Sequence, residues 1–209
     1  MIPRFRIERK WIYHVTKTLF VDLPGANVCL YQNLIQGADK LFKRLLDEID
    51  WRTESIKLFG QKHPIPRLTF WMGDTSYSYS GTKNQPMPWT TTIQKIRHQA
   101  ESLVNSRFNG VLLNLYRCGQ DSMGWHADDE KSLGNHPTIV SVNLGGTRRI
   151  RFKPKPHFTG KVVSLELPHA SALVMRGETQ KNWLHTIPKT TKPVRMRINL
   201  TFRKVLNTS

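Results

Sequence analysis

Hydrophobic residues change their spacing about halfway along this chain of 209 residues. In the first half they recur at intervals of three and four, which is the spacing of a helix with one buried face. This spacing predicts helices over residues 38–50 and 88–104, the second capped by one of the threonines at 90–92. From Gly110 onward apolar and polar residues alternate in short segments between turns, which is typical of strands.

Seven segments of the second half carry the strand pattern. The expected strands cover residues 110–116, 138–144, 148–153, 161–167, 171–176, 183–187 and 193–205. Gly145 and Gly146, between the second and third of them, indicate a hairpin turn. Short strands after a helix-rich first half predict an α+β fold, a β-sandwich or jelly roll with helices on its outside.

The remaining segments are less regular. Residues 1 to about 30 are basic and interrupted by prolines and a glycine, so we expect irregular structure there. Residues 56–67 predict a short strand or hairpin ending in prolines, in which Phe59 either packs inward or wedges into a base stack. Residues 68–81 carry aromatic side chains on a turn-rich segment that could face a flat ligand, although some of these aromatics are expected in the core.

The charge of the chain favours a polyanionic partner. Lys and Arg number 32 against 15 Asp and Glu, which gives a formal net charge of +17, and the basic residues are spread along the chain. Lysine and arginine that neutralise phosphates release counterions, so a basic surface of this size favours nucleic acid. A generally basic surface on a protein with another role is the alternative.

Length and cysteine content predict one domain over residues 1–209 in a reducing compartment. Two cysteines are too few for a disulfide framework. The apolar runs are too short to cross a membrane, and no secretory hydrophobic segment follows the basic start. We therefore expect an intracellular monomer, located in the nucleus of a eukaryote or in the cytoplasm and nucleoid of a bacterium.

A His-x-Asp pair follows the strand expected at 110–116, after a polar and turn-rich segment at 117–124. Residues i and i+2 of an extended chain project to the same side, so His126 and Asp128 can direct an imidazole and a carboxylate at one point. Two histidines and one carboxylate form the facial triad that holds Fe(II). The spacing alone is a weak signal, because the chain contains 8 His and 15 acidic residues and a solvated loop would look the same.

A third ligand is expected from a later strand. His185 lies in the strand at 183–187, and early and late strands of a jelly roll lie side by side. His169 and His157 are weaker candidates, because the first is expected in a turn and the second in a loop rich in Pro and Lys. A hydrogen-bonded core histidine is the alternative interpretation of His185.

The last expected strand has two different faces. Its even positions from 196 to 202 are all apolar and must pack on a core, whereas its odd positions carry Arg195, Arg197, Asn199, Thr201 and Arg203. Asn114 and Tyr116 also share one face of their strand. Together these side chains would bind a small dicarboxylate, because arginine gives bidentate, charge-assisted hydrogen bonds to carboxylates. An iron triad beside such a pocket indicates 2-oxoglutarate.

These motifs together resemble those of the AlkB-type Fe(II)/2-oxoglutarate dioxygenases, which repair alkylated nucleic-acid bases. The resemblance extends from about residue 56 to residue 205 and is greatest to the eukaryotic-type DNA repair members. The motifs are Asn114-x-Tyr116, His126-x-Asp128, His185 and Arg197-x-Asn199-x-Thr201-x-Arg203.

The resemblance implies a double-stranded β-helix, or jelly roll, over residues 106–209, preceded by helices, a hairpin and a nucleotide-recognition lid. The implied Fe(II) ligands are His126, Asp128 and His185. The implied contacts to 2-oxoglutarate are Arg197 and Tyr116 at its distal carboxylate, Arg203 and Asn199 at its iron-chelating end, and Asn114 and Thr201.

The resemblance also implies three groups of substrate contacts. Phe59, Gly60 and Arg67 belong to a hairpin whose aromatic finger fills the gap left by a flipped base. Tyr77 and Tyr79 resemble the lid over the base, and Asp129 and Glu130 resemble acidic residues that contact it. The implied reaction consumes O2 and 2-oxoglutarate, demethylates 1-methyladenine or 3-methylcytosine in DNA, and releases formaldehyde. Such bases have lost their pairing and are therefore cheaper to flip out.

Three other functions are weighed against this one. A nucleic-acid-binding module without catalysis would fit the charge but would leave the polar face of the last strand unexplained. A 2-oxoglutarate oxygenase that acts on RNA, protein or a small molecule would fit the triad. A zinc hydrolase is weaker, because a zinc site with these ligands has no use for two arginines.

Overall fold

The computed structural model describes residues 17–58, 61–79 and 82–206. The predictions about Phe59 and Gly60 lie outside the described residues, and so do those about the side chains of Tyr77 and Tyr79. In chain order the described strands are β1 Lys17–Val21, β2 Asn27–Gln32, β3 Arg52–Leu58, β4 Gln61–Gly73, β5 Tyr77–Tyr79, β6 Thr82–Asn84, β7 Gly110–Tyr116, β8 Met123–His126, β9 Ile139–Gly145, β10 Arg148–Pro154, β11 Val163–Leu167, β12 Ser171–Arg176, β13 Trp183–Ile187 and β14 Arg197–Arg203.

Two antiparallel sheets pack face to face. The larger has the strand order β1-β2-β12-β9-β14-β7-β4-β3, the smaller has the order β11-β10-β13-β8, and β5 and β6 form a separate hairpin. Leu112, Ile139 and Leu173 of the larger sheet and Ile150 and Phe152 of the smaller sheet belong to one buried cluster. This arrangement confirms the predicted α+β fold with a jelly-roll core.

Helices cover the outer face of the larger sheet. They are α1 Ala38–Glu48 and α2 Thr91–Glu101, while the short α3 Thr179–Asn182 precedes β13. The Thr90 side chain caps α2 by accepting a hydrogen bond from the Ile93 amide at 3.2 Å. Leu45 of α1 and Ile93 of α2 are completely buried in one cluster with the apolar face of β14. Both predicted helices are therefore confirmed. Among the described residues, no helix has the length and apolar character needed to cross a membrane.

The prediction of irregular structure up to about residue 30 is wrong for β1 and β2. Pro24 and Gly25 do not merely interrupt the chain but form the turn between these strands, where Gly25 has a φ of +62° and the Ala26 amide donates to Leu23 O at 3.0 Å. The next strand, β2, then pairs with β12 and extends the larger sheet. The first half of the chain thus contributes four strands to the sheet that carries the site.

The segment at 68–81 is less turn-rich than predicted. Strand β4 continues to Gly73 and pairs with β7 through residues 68–73. Phe70, Trp71 and Met72 are buried, so they belong to the core rather than to a surface that could cover a ligand. Alternate residues of a strand between two layers face opposite cores, which explains why the run is apolar throughout.

Glu101, the last residue of α2, holds the helix against the start of β7. Its carboxylate accepts hydrogen bonds from Arg97 Nε at 3.0 Å, Arg107 Nη1 at 2.8 Å and the Phe108 amide at 2.9 Å. Burial opposes ionisation of Glu101, but these donors outweigh it and hold the pKa of the carboxyl below its usual range.

Glu101→Gln is expected to lower the free energy of unfolding at pH 7 by about 1–3 kcal/mol, because the buried Phe108 amide and the partly buried Arg97 lose a charged acceptor. A carboxyl whose pKa is lower in the folded state stabilises the fold above its unfolded pKa and loses this effect as pH falls through the folded pKa. Denaturant titrations should therefore show the difference from wild type shrinking below about pH 4. Glu166→Gln, which removes an exposed pair with Arg149, is the control with little effect. A difference that stayed constant down to acid pH would contradict this account.

Candidate active site

Three neighbouring strands of the larger sheet present polar side chains to the space between the sheets. Strand β14 lies between β7 and β9, with Arg197 opposite Tyr116 and Asn199 opposite Asn114. Because side chains alternate along a strand, the odd positions of β14 face this space while its even positions face the helices. The cavity between the sheets has a volume of about 40 Å³.

The smaller sheet brings the three predicted metal ligands to the same cavity. His126 at the end of β8 is the register partner of His185 in β13, and the two ring centroids are 4.1 Å apart. Asp128, two residues further, is only 2% exposed. One ligand atom from each of the three side chains lies within 4.8 Å of the other two. This spacing allows His126, Asp128 and His185 to share one metal ion.

The protonation states of the triad suit metal binding, because a ligand must be deprotonated. Burial, helped by the neighbouring His126, lowers the pKa of His185 to about 3, and burial also lowers the pKa of His126. Burial opposes the ionisation of Asp128, but Arg203 and both histidines outweigh it and lower the pKa of its carboxyl. His126 Nδ1 lies 2.9 Å from Gly124 O, so a proton on Nδ1 leaves Nε2 as the donor atom for a metal.

Asp128 is fixed by two buried partners, Arg203 and Gln180, and the sequence analysis did not include Gln180. Its amide donates to Gln180 Oε1 at 2.9 Å, and its Oδ1 lies 3.2 Å from Arg203 Nη2. Gln180 is buried on α3, and its Nε2 donates to Met175 Sδ at 3.5 Å. The polar contacts of Gln180 therefore set the position of the backbone that carries the carboxylate ligand.

Gln180→Met is expected to weaken Fe(II) binding by about 10- to 100-fold, the usual effect of losing a partner of a metal ligand. The substitution keeps the length of the side chain but leaves the Asp128 amide without its acceptor. Competition titration with a chelator measures the change. Lys181→Met is the matched control, since Lys181 is a neighbour whose ion pair with Glu178 lies on the surface. An unchanged iron affinity in Gln180→Met would contradict this role.

Arg197 is the strongest candidate for binding the distal carboxylate of 2-oxoglutarate. It is 1% exposed, its Nη2 donates to Asn143 Oδ1 at 2.6 Å, and its guanidinium carbon lies 4.8 Å from the centroid of the Tyr116 ring. Its Nε and Nη1 have no hydrogen-bond partner among the described residues. A buried guanidinium with unused donors is costly, and a ligand carboxylate in the cavity would supply the missing acceptors. The residues present therefore fit both the metal and the dicarboxylate.

Asn114, Asn199 and Thr201 line the same cavity, but each already contacts protein. Asn199 Nδ2 donates to Ser141 Oγ at 2.7 Å and to Val142 O at 3.0 Å, and Thr201 Oγ1 donates to Asn199 Oδ1 at 3.1 Å. An amide has only two N–H donors, so a contact between Asn199 and a carboxylate requires one of these bonds to open. Asn114 Oδ1 accepts from Arg67 Nε at 2.7 Å, which leaves its NH2 group for other partners.

The predicted substrate contacts lie in different environments. Arg67 is buried next to Asn114 and also donates to Ser122 O at 3.3 Å, so it lies beside the cavity and not on the surface of the hairpin. Asp129 is exposed, pairs with Lys155 Nζ at 2.7 Å and lines the surface pocket that also contains His157. Glu130 is half-buried at the start of the 3-10 turn Lys131–Leu133. Their roles toward a base remain predictions.

The alternative histidines lie away from the triad. His169 Nδ1 accepts from the Gly145 amide at 2.8 Å, and its Nε2 lies 3.5 Å from an oxygen of Asp39. His157 is exposed and lines a separate surface pocket. In the described part of the chain, the group formed with His185 is the one that could hold a metal.

Arg148 and Asn143 contact residues of the site, and the sequence analysis missed both. Arg148 is 3% exposed although it alternates with Ile150 and Phe152, which are buried core residues. Asn143 likewise occupies an inward position of β9 and is the hydrogen-bond partner of Arg197. In both cases a polar residue on the buried face of a strand was the available signal.

Comparisons with known proteins agree with this site. The chain matches the family described as the 2OG-Fe(II) oxygenase superfamily over residues 28–203. Alpha-ketoglutarate-dependent dioxygenase alkB homolog 3 of Rattus norvegicus is 34% identical over an alignment of 209 positions. The alignment covers 95% of this chain and 70% of that protein. DNA oxidative demethylase ALKBH2 of Bos taurus is 36% identical over 183 residues, which cover 82% of this chain and 66% of that protein.

A solved structure shows the same fold. The structure of OsALKBH1 superposes with a TM-score of 0.63 and covers 90% of this chain and 100% of that one, at 14% sequence identity. Members of the matched family use Fe(II), 2-oxoglutarate and O2, for which the cavity supplies a triad and a buried arginine. The chain therefore belongs to the 2OG-Fe(II) oxygenase superfamily and is an Fe(II)- and 2-oxoglutarate-dependent dioxygenase.

Proposed function

We propose that this chain demethylates N-alkylated bases in DNA, with 1-methyladenine and 3-methylcytosine as substrates, and releases the methyl carbon as formaldehyde. The observation that carries the proposal is the placement of the His126, Asp128 and His185 triad and the unused donors of Arg197 in one cavity. The kind of substrate is suggested by relatives, since proteins named DNA oxidative demethylase are 36% identical to this chain.

The roles of the residues follow from their positions. His126, Asp128 and His185 would hold Fe(II), while Arg197, with Tyr116 against its guanidinium, would bind the distal carboxylate of 2-oxoglutarate. When bound there, Fe(II) and 2-oxoglutarate would supply the activation of O2 that hydroxylation of a methyl group requires. Asp128 and His185 are buried, and a buried environment strengthens the electrostatic contacts that they make.

The charges near the triad suit a methylated base. A base methylated on a ring nitrogen is cationic and has lost its pairing, so flipping it out costs less than flipping an intact base. Asp129 directly follows the triad ligand Asp128 in the chain, and a cationic base that reached it would compete with Lys155 for its carboxylate. The net charge of +17 favours phosphate contacts that hold the strand without reading its sequence.

The remaining expectations belong to the same proposal. Residues 1–209 would act as one domain and as a monomer, with Phe59, Tyr77 and Tyr79 on the hairpin and the lid that receive the base. A DNA substrate places the activity inside the cell, in the nucleus or at the bacterial nucleoid.

A substrate panel tests the proposal. Formaldehyde release is measured on 1-methyladenine and 3-methylcytosine in single-stranded DNA, duplex DNA and RNA, and on a methyl-lysine peptide, with unmethylated oligonucleotides as controls. We expect release from both forms of methylated DNA at a higher kcat/KM than from the peptide. Turnover confined to RNA would move the substrate class to RNA, and turnover confined to the peptide would refute a nucleic-acid demethylase.

A further inference from the structure

Arg148, the first residue of β10, is a buried cation that contacts the loop before His126 and the residue that follows the strand of His185. Its Nη1 donates to Cys118 O at 3.2 Å, and its Nη2 donates to Asp121 O at 2.9 Å and to Pro188 O at 2.7 Å. Cys118 and Asp121 belong to the loop between β7 and β8, which leads to His126, and Pro188 directly follows β13, which carries His185. One guanidinium thus ties together two loops that each connect the larger sheet with the smaller one.

Arg148 also lies against the ring that supports the 2-oxoglutarate site. Its guanidinium carbon is 5.6 Å from the centroid of the Tyr116 ring, and that of Arg197 is 4.8 Å from the same centroid. Two arginines therefore contact one phenol ring, and each cation–π contact limits the orientations that the ring can adopt. The position of Tyr116 in turn limits where the guanidinium of Arg197 can lie.

The guanidinium of Arg148 is buried and donates hydrogen bonds to backbone carbonyls rather than to a carboxylate. Asp121 offers Arg148 its backbone carbonyl, while its carboxylate accepts hydrogen bonds from the Arg117 amide at 2.8 Å, Arg117 Nε at 2.8 Å and Arg117 Nη2 at 2.9 Å. Arg148 instead uses three carbonyl oxygens and an aromatic face, an arrangement that needs the planar fork of a guanidinium and that a lysine cannot reproduce. An apolar residue like Ile150 or Phe152 would fill the same layer, so the arginine has a role beyond packing.

We propose that Arg148 is a positioning residue for 2-oxoglutarate, which holds Tyr116 and the loops at Cys118 and Pro188 so that Arg197 meets the distal carboxylate. The proposal rests on the binding of 2-oxoglutarate at Arg197, a property of the family, and does not depend on which polymer carries the substrate base. Arg148 acts through Tyr116 and the backbone and touches neither the metal ligands nor the ligand carboxylate.

The test is direct binding of 2-oxoglutarate to protein loaded with Mn(II), followed by calorimetry, which needs no turnover. In Arg148→Met, the Kd for 2-oxoglutarate is expected to rise about 10- to 100-fold, as for other partners that orient binding groups. Kinetics with Fe(II) should show the same rise in the KM for 2-oxoglutarate, with kcat at saturation within about threefold of wild type. The Kd for Mn(II) should stay unchanged.

Two variants keep the test decisive. Arg148→Lys retains the charge and most of the volume but not the fork, and is expected to fold and to raise the Kd for 2-oxoglutarate by a smaller factor. Arg149→Met is the matched control, because Arg149 is exposed on the other face of β10 and pairs with Glu166 at 3.0 Å. Its Kd should equal that of wild type.

The outcomes separate this inference from the family assignment. If the Arg148 variants lower the melting temperature while the Kd for 2-oxoglutarate equals that of wild type, Arg148 only fastens the loops and the inference is overturned. If Arg148→Met does not fold, the Kd of Arg148→Lys decides between the same two results. Failure of the wild-type chain to bind 2-oxoglutarate would instead refute the cofactor assignment.

Discussion

His126→Ala is expected to abolish 2-oxoglutarate turnover. His126 is one of three side chains whose ligand atoms lie within 4.8 Å of one another, and among the described residues no second group of this kind could replace it. Its removal leaves one imidazole and one carboxylate. The loss of metal affinity should therefore exceed the decrease of about 10- to 100-fold that follows when a ligand loses its hydrogen-bond partner. Chelator competition and succinate release measure both consequences.

The control for this prediction is His169→Ala. His169 is also a partly buried histidine, but it accepts from the Gly145 amide and lies near Asp39, away from the triad. This variant should keep wild-type iron affinity. Full succinate release by His126→Ala would refute the proposed triad.

Arg197→Met is expected to remove 2-oxoglutarate binding while iron binding persists. Arg197 is buried and has two nitrogens without a hydrogen-bond partner in the described part of the chain, so a ligand carboxylate would form its main charged contact. Truncating one partner of a buried, hydrogen-bonded charge pair costs about 2–5 kcal/mol, which corresponds to at least a roughly 30-fold increase in Kd. Calorimetry with the Mn(II)-loaded protein measures this change.

Arg195→Met is the matched control for Arg197. Arg195 lies two residues earlier, where the sequence analysis placed it on the same face of the last strand, but it is exposed and precedes β14. Its substitution should leave the Kd for 2-oxoglutarate unchanged. Equal effects of the two substitutions would indicate a general effect of charge and would contradict a specific role for Arg197.

The parts of the fold that sequence predicted well depend on local alternation. Alternation along β14 separates an apolar set from a polar set. The apolar set, which packs against the helices, is Ile198, Leu200 and Phe202. The polar set, which lines the cavity on the opposite face, includes Arg197, Asn199 and Arg203. The same logic identified the two outer helices from the spacing of their apolar residues. The same logic gave a wrong prediction at Pro24 and Gly25, because residues that interrupt a helical period also form the turns of hairpins.

The parts that sequence did not predict depend on backbone partners far along the chain. Arg148 donates to three carbonyl groups and Gln180 accepts from the amide of Asp128. Every residue has a carbonyl, and every residue except proline has an amide, so no residue type marks these partners in a sequence. Only the register of β8, β10 and β13 brings them within hydrogen-bond distance.

The central claim is that one cavity couples oxidation of 2-oxoglutarate to demethylation of DNA. The measurement that tests it most directly is the release of succinate and formaldehyde in the same reaction on DNA containing 1-methyladenine. Equal amounts of the two products, both lost when Fe(II) or 2-oxoglutarate is omitted, are the predicted result. Succinate release that methylated DNA does not stimulate, without any formaldehyde, would contradict the claim.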